Sequence, residues 1–183
     1  MKKYELTAEF IEKWGKKLFR IKALISFGSV EAGELGGYIE KEDNLAHDGN
    51  AWVSGDARVS GNARVSGNAW VYGDAEVYGN AWVSGNARVS GDAEVSGNAD
   101  YLLIGRIGSR FSFTTFFKNK DKGITVSCGC FLGTIAEFRA KVTDTHGNNK
   151  HAKIYNLAAD MAELQILGEE HFDKLNTNKS ESF

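Results

Sequence analysis

The sequence predicts a mainly β protein, built on a parallel β-helix of short stacked coils and followed by a small α+β unit. Three observations predict it. From Gly49 to about Leu102, Gly, Asn or Asp, Ala, a variable residue, Val, and Ser or Tyr recur every six positions. Val stands at 53, 59, 65, 71, 77, 83, 89 and 95, and Ala at 51, 57, 63, 69, 75, 81, 87, 93 and 99, without exception. After Asp100 the register fails, with Leu103 in the Gly slot and Gly105 in the Ala slot, and the composition shifts to Phe, Lys and β-branched residues.

Ala and Val two residues apart point to one side of a short strand, and the residue between them points to the other. Gly with Asn or Asp falls at each strand end, where a turn needs residues tolerant of positive φ. A short fixed period marks a solenoid whose coils bury a continuous core. The hexad V-S-G-[ND]-A-x resembles the hexapeptide signature of left-handed β-helices, and that resemblance implies the left hand and three hexads per coil. Positions eighteen apart then lie above one another in three outward columns. These are Trp52, Trp70 and Arg88; Arg58, Glu76 and Glu94; and Arg64, Trp82 and Asp100. The charged column reads as a solvated wall. The Trp column, with Tyr72 and Tyr78 at neighbouring corners, reads as an exposed contact surface.

Four segments follow. Residues 1–37 form an N-terminal cap, with a short helical turn near Thr7, a strand over Lys17 to Ile25, and a Gly-rich loop over 28–37. Residues 38–104 form the repeat array, whose register starts imperfectly near Tyr38, as terminal coils of repeat arrays do. His47 then occupies a Val slot as a cap histidine. Residues 105–168 form the α+β unit. Arg110 to Lys118 and Gly123 to Phe131 read as a hairpin around the Asn119 to Lys122 turn, with Phe111, Phe113 and Phe117 on one face and Ile124, Val126, Cys128 and Cys130 on the partner face. Thr134 and Glu137 form a capping box. A helix carries Ile135, Phe138 and Val142 as far as Gly147, and a second spans His151 to Leu167 with Ile154, Leu157, Met161 and Leu164 beside Tyr155, Ala158 and Ala162 on a wide, deeply packed apolar face. Residues 169–183 read as a polar tail, disordered beyond about Phe172.

The chain carries a formal net charge of −2, so no global basic field draws it to nucleic acid or an anionic membrane. No apolar run is long enough to cross a bilayer, and the N-terminus is no signal peptide, so a cytoplasmic protein is expected. Its two cysteines, Cys128 and Cys130, read as reduced core thiols.

Chemistry-bearing candidates are few. Cys128, Cys130, His146 and His151 match structural zinc in number, though their spacing is poor for it and the thiols fit the core better. His146 beside Gly147 reads as a helix cap. Gly105 to Arg110 has the glycines of an anion loop without the strand-to-helix setting of a P-loop, and reads as a flexible junction. Lys118, Lys120 and Lys122 form a cationic turn open to a partner. No catalytic residue and no cofactor is expected.

The Gly36-Gly37-Tyr38-Ile39-Glu40 stretch before the repeats, with Cys128-Gly129-Cys130-Phe131 through Val142 and Thr145-His146-Gly147 after them, resembles a family of small hexapeptide-repeat proteins encoded by bacteriophages and prophages. The resemblance implies an accessory protein without transferable catalytic groups. The wider left-handed β-helix class includes acyltransferases and carbonic anhydrases that use coil histidines, but no His lies between Asn50 and Asp100. The expected function is non-catalytic binding, to a host protein such as a defence component. An acyltransferase-like enzyme and a virion protein are the alternatives. A homo-oligomer is expected, a dimer or the trimer habitual in that class, with Trp52, Trp70, Trp82, Tyr72, Tyr78, Arg88 or the lysine turn at the contact.

Overall fold

A computed structural model of the protein describes residues 1–171; the polar tail expected beyond Phe172 lies outside them. The chain forms two compact units, Met1–Asn98 and the part from Ala99 on.

In the first unit the hexads fold into two-residue strands: β4 (Trp52–Val53), β5 (Arg58–Val59), β6 (Arg64–Val65), β7 (Trp70–Val71), β8 (Glu76–Val77), β9 (Trp82–Val83), β10 (Arg88–Val89) and β11 (Glu94–Val95). Every third strand stacks in parallel, giving β4–β7–β10, β5–β8–β11 and β6–β9. Rungs run straight up the stack, as where Ser54 N–H donates to Val71 O at 2.9 Å and Tyr72 N–H to Val89 O at 3.0 Å. The fold is therefore a parallel β-solenoid. All eight Val residues and Ala51 through Ala93 are fully buried, each Val contributing roughly 1.5–3 kcal/mol of transfer free energy. The last inward slot fails: Ala99 lies in a 3-10 turn, Asn98–Asp100, and is exposed. Asp100 consequently does not continue the Arg64–Trp82 column.

The corners differ chemically. At one, Asn50 donates to Asn68 at 3.1 Å and Asn68 to Asn86 at 3.3 Å; at another, Asn62 donates to Asn80 at 3.3 Å. The third carries Asp56, Asp74 and Asp92, three exposed carboxylates at the same eighteen-residue spacing.

The first fifty residues hold three corrections. Residues near Thr7 are not helical: β1 (Tyr4–Lys13) and β2 (Lys16–Ala23) form an antiparallel hairpin, and β2 pairs with β3 (Leu35–Ile39), which joins the solenoid beside β5. The Gly-rich loop therefore stops at Glu34, and Leu35, Gly36 and Gly37, expected within it, belong to β3. His47 is not in the Val slot either. Ile39 stacks on Val59 and Leu45 on Val65, twenty residues apart, whereas Val53 stacks on Val71 at eighteen. Two extra residues are absorbed between Ala46 and Asn50, since Ala46 N–H donates to Val65 O while Asn50 N–H donates to Gly67 O. His47 lies in this bulged stretch, its ring stacked on Tyr4 at 4.4 Å and its Nδ1 accepting from Lys3 N–H at 3.2 Å.

The second unit is a four-stranded antiparallel sheet, β12 (Tyr101–Ile107), β13 (Ser112–Lys118), β14 (Ile124–Cys128) and β15 (Phe131–Thr134), with α1 (Ile135–His146) and α2 (Lys150–Leu167). The expected hairpin is its centre, but the Phe phase is corrected. Phe111 is exposed at φ 49°, before β13 begins, and Phe116 is the β13 residue in the helix-packed core with Ile124, Val126, Phe138, Tyr155 and Ala159. The capping box is present, Thr134 Oγ1 accepting from Glu137 N–H at 3.3 Å and Glu137 Oε2 from Thr134 N–H at 2.8 Å. The Gly105 to Arg110 stretch runs out of β12 into a turn. Gly108 has φ 72°, and a Cβ there would meet the Tyr155 hydroxyl at 1.8 Å, so close approach of that ring requires glycine.

The apolar face of α2 is also corrected. Its buried residues are Ala152, Tyr155, Ala158, Ala159, Ala162, Glu163 and Ile166. Leu157, Met161 and Leu164, expected in the core, are 63%, 57% and 46% exposed.

Candidate functional site

The Trp52–Trp70–Arg88 column exists as a stack of paired strands, but its first member is not on the surface. Trp52 is fully buried, its ring edge-on to Phe27 at 5.4 Å and to Tyr4 at 6.5 Å. The N-terminal cap covers it, and Gly36 is the residue that permits this. A Cβ at Gly36 would lie 2.7 Å from the Trp52 ring and 2.6 Å from Val53 O. Trp70 is half-buried and lines a shallow recess of about 260 Å³ with Gly28, Ser29 and Arg88. Tyr72 is half-buried at its corner. Only Trp82 is a fully presented indole of the three predicted, 55% exposed and oriented by an Nε1–H bond to Ser66 Oγ at 2.9 Å.

The charged column is corrected as well. The Glu76 side chain is 7% exposed and holds two cations, Lys13 Nζ and Arg58 Nη1, the latter at 3.3 Å. It is a pinned internal ion cluster. Glu94, one coil along, accepts from Tyr78 OH at 2.8 Å.

The residue that composition and spacing did not bring forward is Trp14. It forms the two-residue turn of the β1–β2 hairpin with Gly15, at φ 52° and 72°. Turns of this kind favour Asn-Gly or Asp-Gly, and a non-glycine residue in the left-handed region costs roughly 1–2 kcal/mol. The indole is 58% exposed, with Lys13 Nζ 4.4 Å above its ring and Tyr78 at a centroid separation of 6.1 Å. The Lys13–Glu76 pair holds the hairpin tip against the solenoid wall. Between them lies a cleft of about 480 Å³ lined by Trp14, Lys16, Asn62, Tyr78, Asn80 and Glu94, among others. A Trp in a turn is a recognisable sequence signal. It was hidden because the segment reads as helix before the hairpin is known.

The remaining predicted residues do not converge. Lys118 pairs with Asp100 at 3.6 Å, Lys122 caps the hairpin turn at φ 60°, and Lys120 has a partner of its own. Cys128 accepts from Thr114 Oγ1 at 3.2 Å, while Cys130 is exposed in the β14–β15 turn, so the pair does not share the core as expected. His146 stacks on Tyr155 at 5.8 Å and lies 5.8 Å from the His151 ring. Burial, then the neighbouring Cys128, pushes the Tyr155 hydroxyl above its ordinary range. Among the described residues no three His, Cys, Asp or Glu side chains group to hold a metal ion. No helix among them is long and apolar enough to cross a membrane.

No curated protein matches the chain. Residues 57–73 and 81–97 match the family model described as the YdcK beta solenoid repeat, the stretch in which the coils are stacked with an unbroken eighteen-residue register.

Proposed function

We propose that the protein works by binding another protein and not by catalysis, with the outer face of α2 as the contact. The observation that carries this is the stripe Leu157, Met161 and Leu164. These large apolar side chains at helical spacing face water while the opposite side of the helix packs the core. Amphipathic helices present such i, i+4, i+7 anchors to a groove in a partner. Trp82 on the solenoid wall is a second exposed anchor of the residue type that dominates interface energetics. The resemblance of the flanking motifs to phage-encoded proteins supports a host-cell protein, such as a defence component, as the partner class, with action in the host cytoplasm. Self-association into a dimer or trimer through the same stripe is the homo-oligomeric form of this reading.

The test is affinity capture from host lysate with tagged wild type, Met161→Asp and Trp82→Ala, alongside light scattering of each. Specific retention of one host protein, lost in Met161→Asp with the circular dichroism spectrum unchanged, is the expected result. A wild-type oligomer dissociated by Met161→Asp assigns the stripe to self-association. Co-sedimentation with virions and no host protein retained makes the chain a structural component instead.

A further inference from the structure

The cleft beside the hairpin tip has the build of a small-molecule site, and none of Leu157, Met161 and Trp82 lines it. Its volume of about 480 Å³ falls within the roughly 300–1,000 Å³ typical of such sites. Its aromatic wall is Trp14, held in a left-handed turn conformation that side chains avoid, with Tyr78 beside it at 6.1 Å and 45°. A residue kept in an unfavourable backbone region marks a position where something other than stability is selected. Asparagine would suit that turn better, so the indole itself is what the position retains.

The polar wall is neutral in what it offers. Asn62 donates to Asn80 at 3.3 Å, leaving Asn62 Oδ1 as an acceptor and Asn80 Nδ2 as a donor without hydrogen bonds among the described residues. Tyr78 OH donates to Glu94 at 2.8 Å, and Lys16 Nζ is held by Glu40 at 2.8 Å. Lys13, over the Trp14 ring, is paired with Glu76. Each cation at the cleft therefore already has a carboxylate, and the Glu94 carboxylate on the wall opposes an anionic guest. Among the described residues a phosphate finds no unpaired cation here, and a cationic guest would have to displace Lys13 from the indole.

A guest that needs no charge, lays an apolar C–H face on an aromatic ring and exchanges hydrogen bonds with side-chain amides is a neutral sugar. We propose that the Trp14–Tyr78 cleft binds a neutral saccharide of one or two rings. One pyranose face stacks on Trp14, and its hydroxyls are read by Asn62 Oδ1, Asn80 Nδ2 and the Tyr78–Glu94 pair. The solenoid suits this role because vertically bonded coils hold the polar wall rigid, so little ordering entropy is lost on binding.

The experiment is saturation-transfer NMR on the full chain with millimolar chitobiose, maltose, cellobiose and lactose, and with ATP as an anionic aromatic control. At least one disaccharide should receive saturation at its ring C–H protons while ATP does not. Trp14→Asn should lower its affinity at least tenfold while leaving thermal stability unchanged or raised, because Asn fits the turn. Trp82→Ala should leave it unchanged. Saturation of no disaccharide, retention of the signal in Trp14→Asn, or binding of ATP alone would each overturn the proposal. Because the host-protein contact is read out with Met161→Asp and Trp82→Ala, either reading can fail while the other stands.

Discussion

Lys13 and Glu76 form an ion pair sixty-three residues apart in sequence, and the carboxylate is buried while a third of the lysine side chain stays exposed. The asymmetry sets the outcome of mutation. Glu76→Ala leaves Lys13 and Arg58 facing each other without an anion and should destabilise the first unit by about 2–3 kcal/mol, whereas Lys13→Ala should cost about 1 kcal/mol or less. Urea unfolding of the two variants checks the order. Equal losses would mean that the hairpin tip, and not the buried charge, carries the stability.

The Asp56, Asp74 and Asp92 corner stacks like charges where the other corners run Asn ladders. At a strand spacing of about 4.8 Å, exposed like charges repel by a few tenths of a kcal/mol or more. Asp74→Asn should therefore stabilise the protein by about 0.5 kcal/mol at low salt, with the gain shrinking at high salt. A loss of stability would show that Asp74 has a favourable partner role.

Lys3 is buried, with its Nζ donating to Ala51 O at 2.9 Å, and desolvation pulls its pKa down to about 8 against the opposing charge of Asp48. The folded pKa is lower than the ordinary lysine value near 10.4, so between about pH 8 and 10 the unfolded chain holds more protons and stability rises with pH. Burial, with Glu42 and Asp43, pushes the Tyr4 hydroxyl above its ordinary value of 10, which makes stability fall again above about pH 10. Denaturant midpoints from pH 7 to 10 should climb in the wild type and stay flatter in Lys3→Met.

Arg139 joins the two helices, reaching Asp160 and Glu163 at 2.7 Å each, and the Glu163 side chain is 8% exposed. Arg139→Ala should cost about 2–3 kcal/mol by stranding Glu163, and adding Glu163→Leu should recover much of it. A double-mutant cycle by thermal melting checks the coupling.

The solenoid was legible because Ala and Val have no alternative place to go in a six-residue period. Each predicted inward Ala and Val slot from Ala51 through Val95 is buried. The second unit was legible where local chemistry decides, as at Thr134 and Glu137, and less so where two faces of a strand are both apolar. Phe116 and Phe117 are equally buried, so alternation alone could not choose between them. Trp52 was misread because its burial depends on Tyr4 and Phe27, contacts that no spacing within the repeat encodes. Trp14 stayed unseen because its role depends on Tyr78, which only the hairpin brings near. On α2, side-chain size misled: the small alanines pack against the sheet, and the larger Leu157, Met161 and Leu164 face away.

The eighteen-residue register also makes coil number a variable that can change without redesign. Each coil bonds only to the coils directly before and after it, so copying residues 67–84 in place repeats the same rungs and the same Asn ladders. Such a duplication lengthens the stack by about 4.8 Å and leaves both ends chemically intact. The bulge at His47 shows the opposite case: two residues that are not a multiple of the period are absorbed at the end of the stack, where Tyr4 and Lys3 pack against the bulged stretch. Growth in this chain is quantised by the coil, and the observed irregularities lie at the ends of the stack, at His47 and at Ala99.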